Sequence, residues 1–165
     1  DDTCIWFYQV IGREVHLIDY YASSGKPITH YLGVLASKSY SYGEHYVPHD
    51  AQARERWTAT TMIEVASEQG YRMTALAREG LEQGINAARM VFSRCWFDEV
   101  KCADGIAALM NYRRDYNDKL GEFKPVPVHD WASHGADAFR YLAMAIEKTR
   151  TAAYAPLTYP NMNLA

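Results

Sequence analysis

Apolar positions along this chain recur first with a strand period and later with a helix period, and the change of period predicts its elements. Cys4-Ile5-Trp6-Phe7-Tyr8-Gln9-Val10 is a β-rich apolar run, and beyond Gly12-Arg13 the positions Val15, Leu17 and Asp19 alternate with His16, Ile18 and Tyr20. Successive side chains of a strand point to opposite faces, so two such runs across a short turn predict a β-hairpin. Ser23-Ser24-Gly25 and Pro27 mark a loop, and His30, Leu32, Val34 and Leu35 predict a helix after it. The run Glu44-His45-Tyr46-Val47-Pro48-His49-Asp50 reads as a strand over 46–49 with a polar tip, Pro48 marking a strand end or bulge because it lacks an amide proton. Helices are expected over residues 60–69, with Gly70 as cap, and over 80–92, 103–116 and 133–148. Residues 71–76 alternate like a strand, Cys95-Trp96-Phe97 is a short apolar run, and the Pro-rich segment 123–128 is expected to return toward the sheet. Phe139, Leu142, Ala143 and Ile146 form the apolar stripe of the last helix. A hairpin followed by alternating helices and strands predicts an α/β fold with a mixed central sheet flanked by helices. The expected division is one domain over 1–148 and a C-terminal tail over 149–165.

Composition narrows the function. The 165 residues suffice for one domain with a core, and the net charge of −3 argues against binding nucleic acid through bulk charge. Cys4, Cys95 and Cys102 form no paired framework and no CxxC, which fits free thiols. No apolar run approaches the roughly 20 residues needed to cross a bilayer, so no membrane partner is expected. The sequence holds no phosphate-binding GxxxxGK[ST] loop and no GxSxG nucleophile elbow.

The chemistry concentrates in two places. Asp50 closes the strand-like run at its polar tip, and Asp137 lies near the start of the last helix within His129-Asp130-Trp131-Ala132-Ser133-His134-Gly135-Ala136-Asp137. Taken singly, each reads as a turn former or a helix-end charge. Taken together, two carboxylates at the ends of separate elements can hold Mg²⁺ or Mn²⁺, which prefer carboxylate oxygens and keep part of their water. A pair of such ions can activate water and stabilise the leaving 3′ oxygen of a phosphodiester. His49, His129 and His134 flank the carboxylates and could orient a ligand or move a proton, or be satisfied by a backbone carbonyl. His129 and His134 lack the i, i+4 spacing of a helical zinc pair. Asp98 and Asp104 read as the cap and dipole partners of the helix after them. Arg113, Arg114, Lys119 and Lys124 could touch a DNA backbone but fit a solvated face better.

Several separated motifs agree in order and spacing. Ile5-Trp6-Phe7-Tyr8-Gln9, Leu17-Ile18-Asp19-Tyr20-Tyr21, Pro48-His49-Asp50-Ala51, Gly84-Ile85-Asn86-Ala87-Ala88-Arg89 and Ser133-His134-Gly135-Ala136-Asp137-Ala138-Phe139-Arg140-Tyr141 together resemble the C-terminal nuclease domain of the large terminase subunit of tailed bacteriophages. The resemblance runs to about Leu142. It implies a ribonuclease H-like fold with a mixed five-stranded core sheet, and a metal-dependent endonuclease that cuts concatemeric double-stranded viral DNA. Asp50 and Asp137 would match two of the family's acidic metal ligands, and Asp1, in Asp1-Asp2-Thr3, an accessory one. The implied cofactors are two Mg²⁺ or Mn²⁺ ions. The implied partners are DNA, the terminase ATPase domain, the small terminase subunit and the portal of the procapsid, in the host cytoplasm. The family's first catalytic Asp and its ATPase domain would lie upstream, so the chain is expected to be a piece of a longer protein. Two other readings stay open: a non-enzymatic DNA or portal docking module, and another ribonuclease H-like nuclease such as a junction resolvase.

Overall fold

Trp6 and Phe7 are consecutive in a strand, so they face opposite ways, and each becomes the centre of its own core. The computed structural model describes residues 2–54 and 60–153. Strands β1 (Asp2–Ile11) and β2 (Glu14–Ser24) form the antiparallel hairpin that the alternation predicts. Gly12 turns it with φ +62°, a left-handed value that a side chain would strain. The strict alternation of β2 breaks once. Phe7 pairs with Asp19 but Tyr8 pairs with Leu17, so Ile18 is an extra residue, a β-bulge. Tyr20, rather than Asp19, therefore joins Val15 and Leu17 in the core around Trp6, while Ile18 packs in the core around Phe7.

Helix α1 (Ile28–Ser37) follows, then strand β3 (His45–Val47) and a single 3₁₀ turn over His49–Gln52. Helix α2 (Met62–Glu68) starts on a capping box: Thr61 Oγ1 accepts from the Glu64 amide at 3.1 Å, and Glu64 accepts from the Thr61 amide at 2.7 Å. Strand β4 (Met73–Ala75) pairs in parallel with β3. Helix α3 (Leu81–Phe92) leads into β5 (Cys95–Phe97), which pairs in parallel with β2. Helix α4 (Ala103–Asn111), the short strands β6 (Tyr116–Asn117) and β7 (Glu122–Phe123), and helix α5 (Trp131–Ala153) complete the described chain.

Two cores hold these layers together. On one face of the sheet, Trp6, Val15 and Leu17 pack against Val91 of α3, and against Phe139, Leu142 and Ile146 of α5. The Trp6 ring meets Tyr20, Phe97 and Phe139 at centroid distances of 4.6, 5.9 and 5.7 Å, and its indole N–H donates to Gly135 O at 3.0 Å. On the other face Phe7 packs with Leu32 and Leu35 of α1 and Ala66 of α2. Residues 142–146 of α5 are buried in an unbroken run, because this helix lies against the sheet, α3 and α4 together.

Four expectations need correcting. The described residues form a mixed three-stranded sheet β1-β2-β5, a separate parallel pair β3-β4 and a hairpin β6-β7, not one five-stranded sheet. Both β1 and β3 lie against α5, yet no described strand bridges their edges. Helix α4 ends at Asn111 because Tyr112 turns extended (ψ 117°), so Tyr116 belongs to β6. The segment 123–128 does not rejoin the main sheet; Phe123 pairs with Tyr116 instead. Helix α5 begins before residue 133 and continues to Ala153, past the expected end at 148, and residues 154–165 lie outside the described ones. No described helix is long and apolar enough to cross a membrane.

Candidate functional site

The polar tip of β3 is made by Pro48. Its fixed φ ends the strand, its carbonyl accepts from the Ala51 amide at 3.1 Å, and the chain winds into one 3₁₀ turn. Buried Ala51 anchors that turn, which leaves Asp50 exposed beyond the carboxyl end of β3. Ligands of open α/β sheets gather at this end of parallel strands.

Helix α5 is capped by Asp130, not by the residues nearer Asp137. Asp130 Oδ1 accepts from the Ala132 amide at 3.0 Å, and Oδ2 accepts from Arg113 at 2.9 Å. Arg113 and the helix amides hold the Asp130 carboxyl below the usual carboxylate range despite the opposing effect of desolvation. Asp137 therefore stands beyond the first turn, where helix-end electrostatics give no reason for an acid.

Asp137 and Asp50 both act electrostatically on Tyr141. Burial raises the Tyr141 hydroxyl pKa; the Arg140 guanidinium lowers it, the carboxylates of Asp50 and Asp137 raise it, and Arg78 lowers it. Two acids and two arginines thus act on one hydroxyl. Asp137 also acts electrostatically on Tyr112, at the end of α4: burial raises that hydroxyl pKa, Asp137 adds to the rise, and Arg140 and Arg114 oppose it. Arg140 Nη2 forms an ion pair with Asp137 Oδ1 at 3.1 Å, with the arginine side chain 14% exposed and the aspartate 41%.

The histidines divide. His49 precedes Asp50 in the 3₁₀ turn, and its Nδ1 is buried with no hydrogen-bond partner. His134 lies three residues before Asp137 and seven before Tyr141, so the three share one helix face. His129 lies before the cap of α5; its Nδ1 is 3.1 Å from Ser133 Oγ, and its ring stands 5.1 Å from that of His134. Asp1 lies outside the described residues. The basic residues weighed as DNA contacts are largely engaged: Arg113 with Asp130, Arg114 with Glu82 and Lys124 with Asp115. Asp98 accepts from the Val100 and Lys101 amides and so caps the turn before α4.

Among the described residues no three His, Cys, Asp or Glu side chains converge to hold a metal. Asp50 and Asp137 fit a hard cation in kind, since both donors are carboxylates and Mg²⁺ is commonly held by one or two of them plus water. Sequence reasoning missed Arg78, Arg140 and Tyr141 as members of this cluster. The i, i+3 spacing of Asp137 and Arg140 was the available signal.

No family model and no curated protein matches the chain. A crystal structure of the large terminase from a thermophilic bacteriophage has a similar fold, with a TM-score of 0.66 at 16% sequence identity. The similarity covers 89% of this chain and 37% of that one. The chain has a terminase-like fold and spans about a third of the length of that protein.

Proposed function

We propose that this chain is the ribonuclease H-like nuclease domain of a phage DNA-packaging terminase, and that Asp50 and Asp137 are its metal-binding carboxylates. The observation that carries the reading is that both carboxylates, one beyond the carboxyl end of β3 and one on α5, act electrostatically on the Tyr141 hydroxyl. Fold similarity to a large terminase supports the packaging role. Asp50 is exposed, so a cation held there would face a DNA phosphate arriving from solvent, whereas Asp137 is paired with Arg140. His134 lies on the helix face of Asp137, one turn before it. Mg²⁺ or Mn²⁺, when bound by the two carboxylates, supplies activation of water and stabilisation of the departing 3′ oxygen. Asp1 is proposed as an accessory ligand. Double-stranded DNA is the proposed substrate; the ATPase domain, small subunit and portal are the proposed assembly partners.

The test is conversion of supercoiled plasmid to nicked and linear forms in Mn²⁺ by the protein that carries this chain. Asp50→Asn and Asp137→Asn should each abolish cutting while the melting temperature stays within a few degrees. Undiminished cutting by either variant overturns its assignment. A docking module remains the second reading, favoured by an apolar groove of about 220 Å³ lined by Phe92, Phe97, Ile106, Leu109 and Met110. DNA binding without cutting in any divalent metal would support it. A preference for branched DNA would instead identify a junction resolvase.

A further inference from the structure

Gly84 lies inside α3, where glycine is disfavoured because it loses the most backbone freedom on folding. Its φ is not left-handed, so backbone geometry does not explain it. Space does. A Cβ at this position would lie 2.4 Å from Arg140 Cγ, 2.5 Å from Cδ and 3.2 Å from Nη1. The missing side chain is the slot in which the arginine of α5 is seated. Two further contacts fix the guanidinium: the ion pair with Asp137 Oδ1 at 3.1 Å, and the Tyr141 ring, whose centroid is 5.3 Å from Arg140 Cζ. Its Nε is buried and has no hydrogen-bond partner, so the group is not placed to satisfy its own donors.

We propose that Arg140, seated over Gly84, is a positioning residue: it holds Asp137 by one carboxylate oxygen and leaves the other to a divalent cation. The inference rests on reading Asp137 as a cation ligand. It assigns Gly84 a role at a site it does not touch, through the stem of Arg140. The same contact has an electrostatic consequence. A fixed positive charge beside the ligand opposes a second cation, so the arginine gains geometry for Asp137 at the expense of metal affinity. A residue that only filled space would have no such effect.

Mn²⁺ binding, followed by electron paramagnetic resonance of the free ion, separates these roles without relying on cleavage. It is compared in the native protein, Arg140→Gln, Arg140→Lys, Gly84→Ala and Asp137→Asn, with circular dichroism and melting temperature as folding controls. Arg140→Gln, which keeps most of the stem and loses the charge, should bind Mn²⁺ about tenfold more tightly. Arg140→Lys keeps the charge and should stay within about twofold of native. Gly84→Ala displaces the stem and should shift affinity toward the Arg140→Gln value. Lower melting temperatures with unchanged affinity in both Arg140→Gln and Gly84→Ala overturn the proposal. If Gly84→Ala does not fold, the contrast between Gln and Lys at position 140 decides it. Asp137→Asn separates the two levels of failure. If that variant binds Mn²⁺ as the native protein does, the cation reading falls and takes this inference with it. If it weakens binding while the Arg140 and Gly84 variants leave affinity alone, only this inference falls.

Discussion

Replacing Lys38 by Met tests how the bulge in β2 is stabilised. The bulge turns Asp19 out of the Trp6 core and toward Lys38 and Tyr40, where its side chain is only 8% exposed. There the carboxylate accepts from Lys38 Nζ, from the Tyr20 amide at 2.8 Å and from Tyr40 Oη at 3.1 Å. Methionine keeps the apolar stem beside Phe7 and removes the ammonium, which lies 5.1 Å from that ring's centroid. Removing one partner of a fully buried pair costs about 3–5 kcal/mol. Lys38 is 25% exposed and two donors remain on Asp19, so the expected loss is about 2 kcal/mol. For a domain of this size that is a fall of about 4–8 °C in melting temperature. The pH dependence has a defined sign. Desolvation pushes the Asp19 pKa up, but the bonds from Lys38, the Tyr20 amide and Tyr40 outweigh it and leave the pKa below its ordinary value. A carboxyl with a depressed folded pKa contributes stability above its unfolded pKa, near ~4, and loses it as pH falls through the folded value. Urea unfolding of native and Lys38→Met at pH 7 and pH 3 should show the gap shrinking in acid. Equal stability at pH 7, or a gap that widens at pH 3, would refute the reasoning.

Other consequences follow from the packing. Phe139→Ala should cost about 3–5 kcal/mol by urea unfolding, because the ring is 1% exposed and contacts Trp6, Phe92 and Phe97. Gly105→Ala should cost about 1–3 kcal/mol in the same assay, since its Cβ would lie 2.4 Å from Trp6 Cη2 and 2.8 Å from Tyr20 Cδ2. Burial pushes the Cys95 and Cys102 thiols up to about 11. Their alkylation at pH 8 should therefore run about a hundredfold slower than that of a free thiol, and recover in guanidinium. Fast native labelling of Cys102, which is 0% exposed, would contradict that burial.

What the sequence made legible follows from how local each signal is. The β1–β2 hairpin was readable because alternation and Gly12 act within a few residues, and α5 because its apolar stripe spans several turns. The bulge at Ile18 was not, since which residue is extra depends on the partner strand. The β6–β7 hairpin carries a local signal of its own. Asn117 Oδ1 accepts from the Lys119 and Leu120 amides, and Gly121 has φ +67°, a turn set between Tyr116 and Phe123. At the site, Asp50 and Asp137 stand out in the sequence as acids near the ends of elements, but the cap of α5 is Asp130, which puts Asp137 in the second turn rather than the first. The seating of Arg140 over Gly84 joins residues on two helices and has no local sequence signature.

The measurement closest to the central claim is anomalous diffraction from crystals grown in Mn²⁺. The expected result is a peak beside Asp50 and Asp137, the residues that would hold the ion, lost in Asp137→Asn crystals. A peak elsewhere, or none beside these two carboxylates at saturating Mn²⁺, would contradict it.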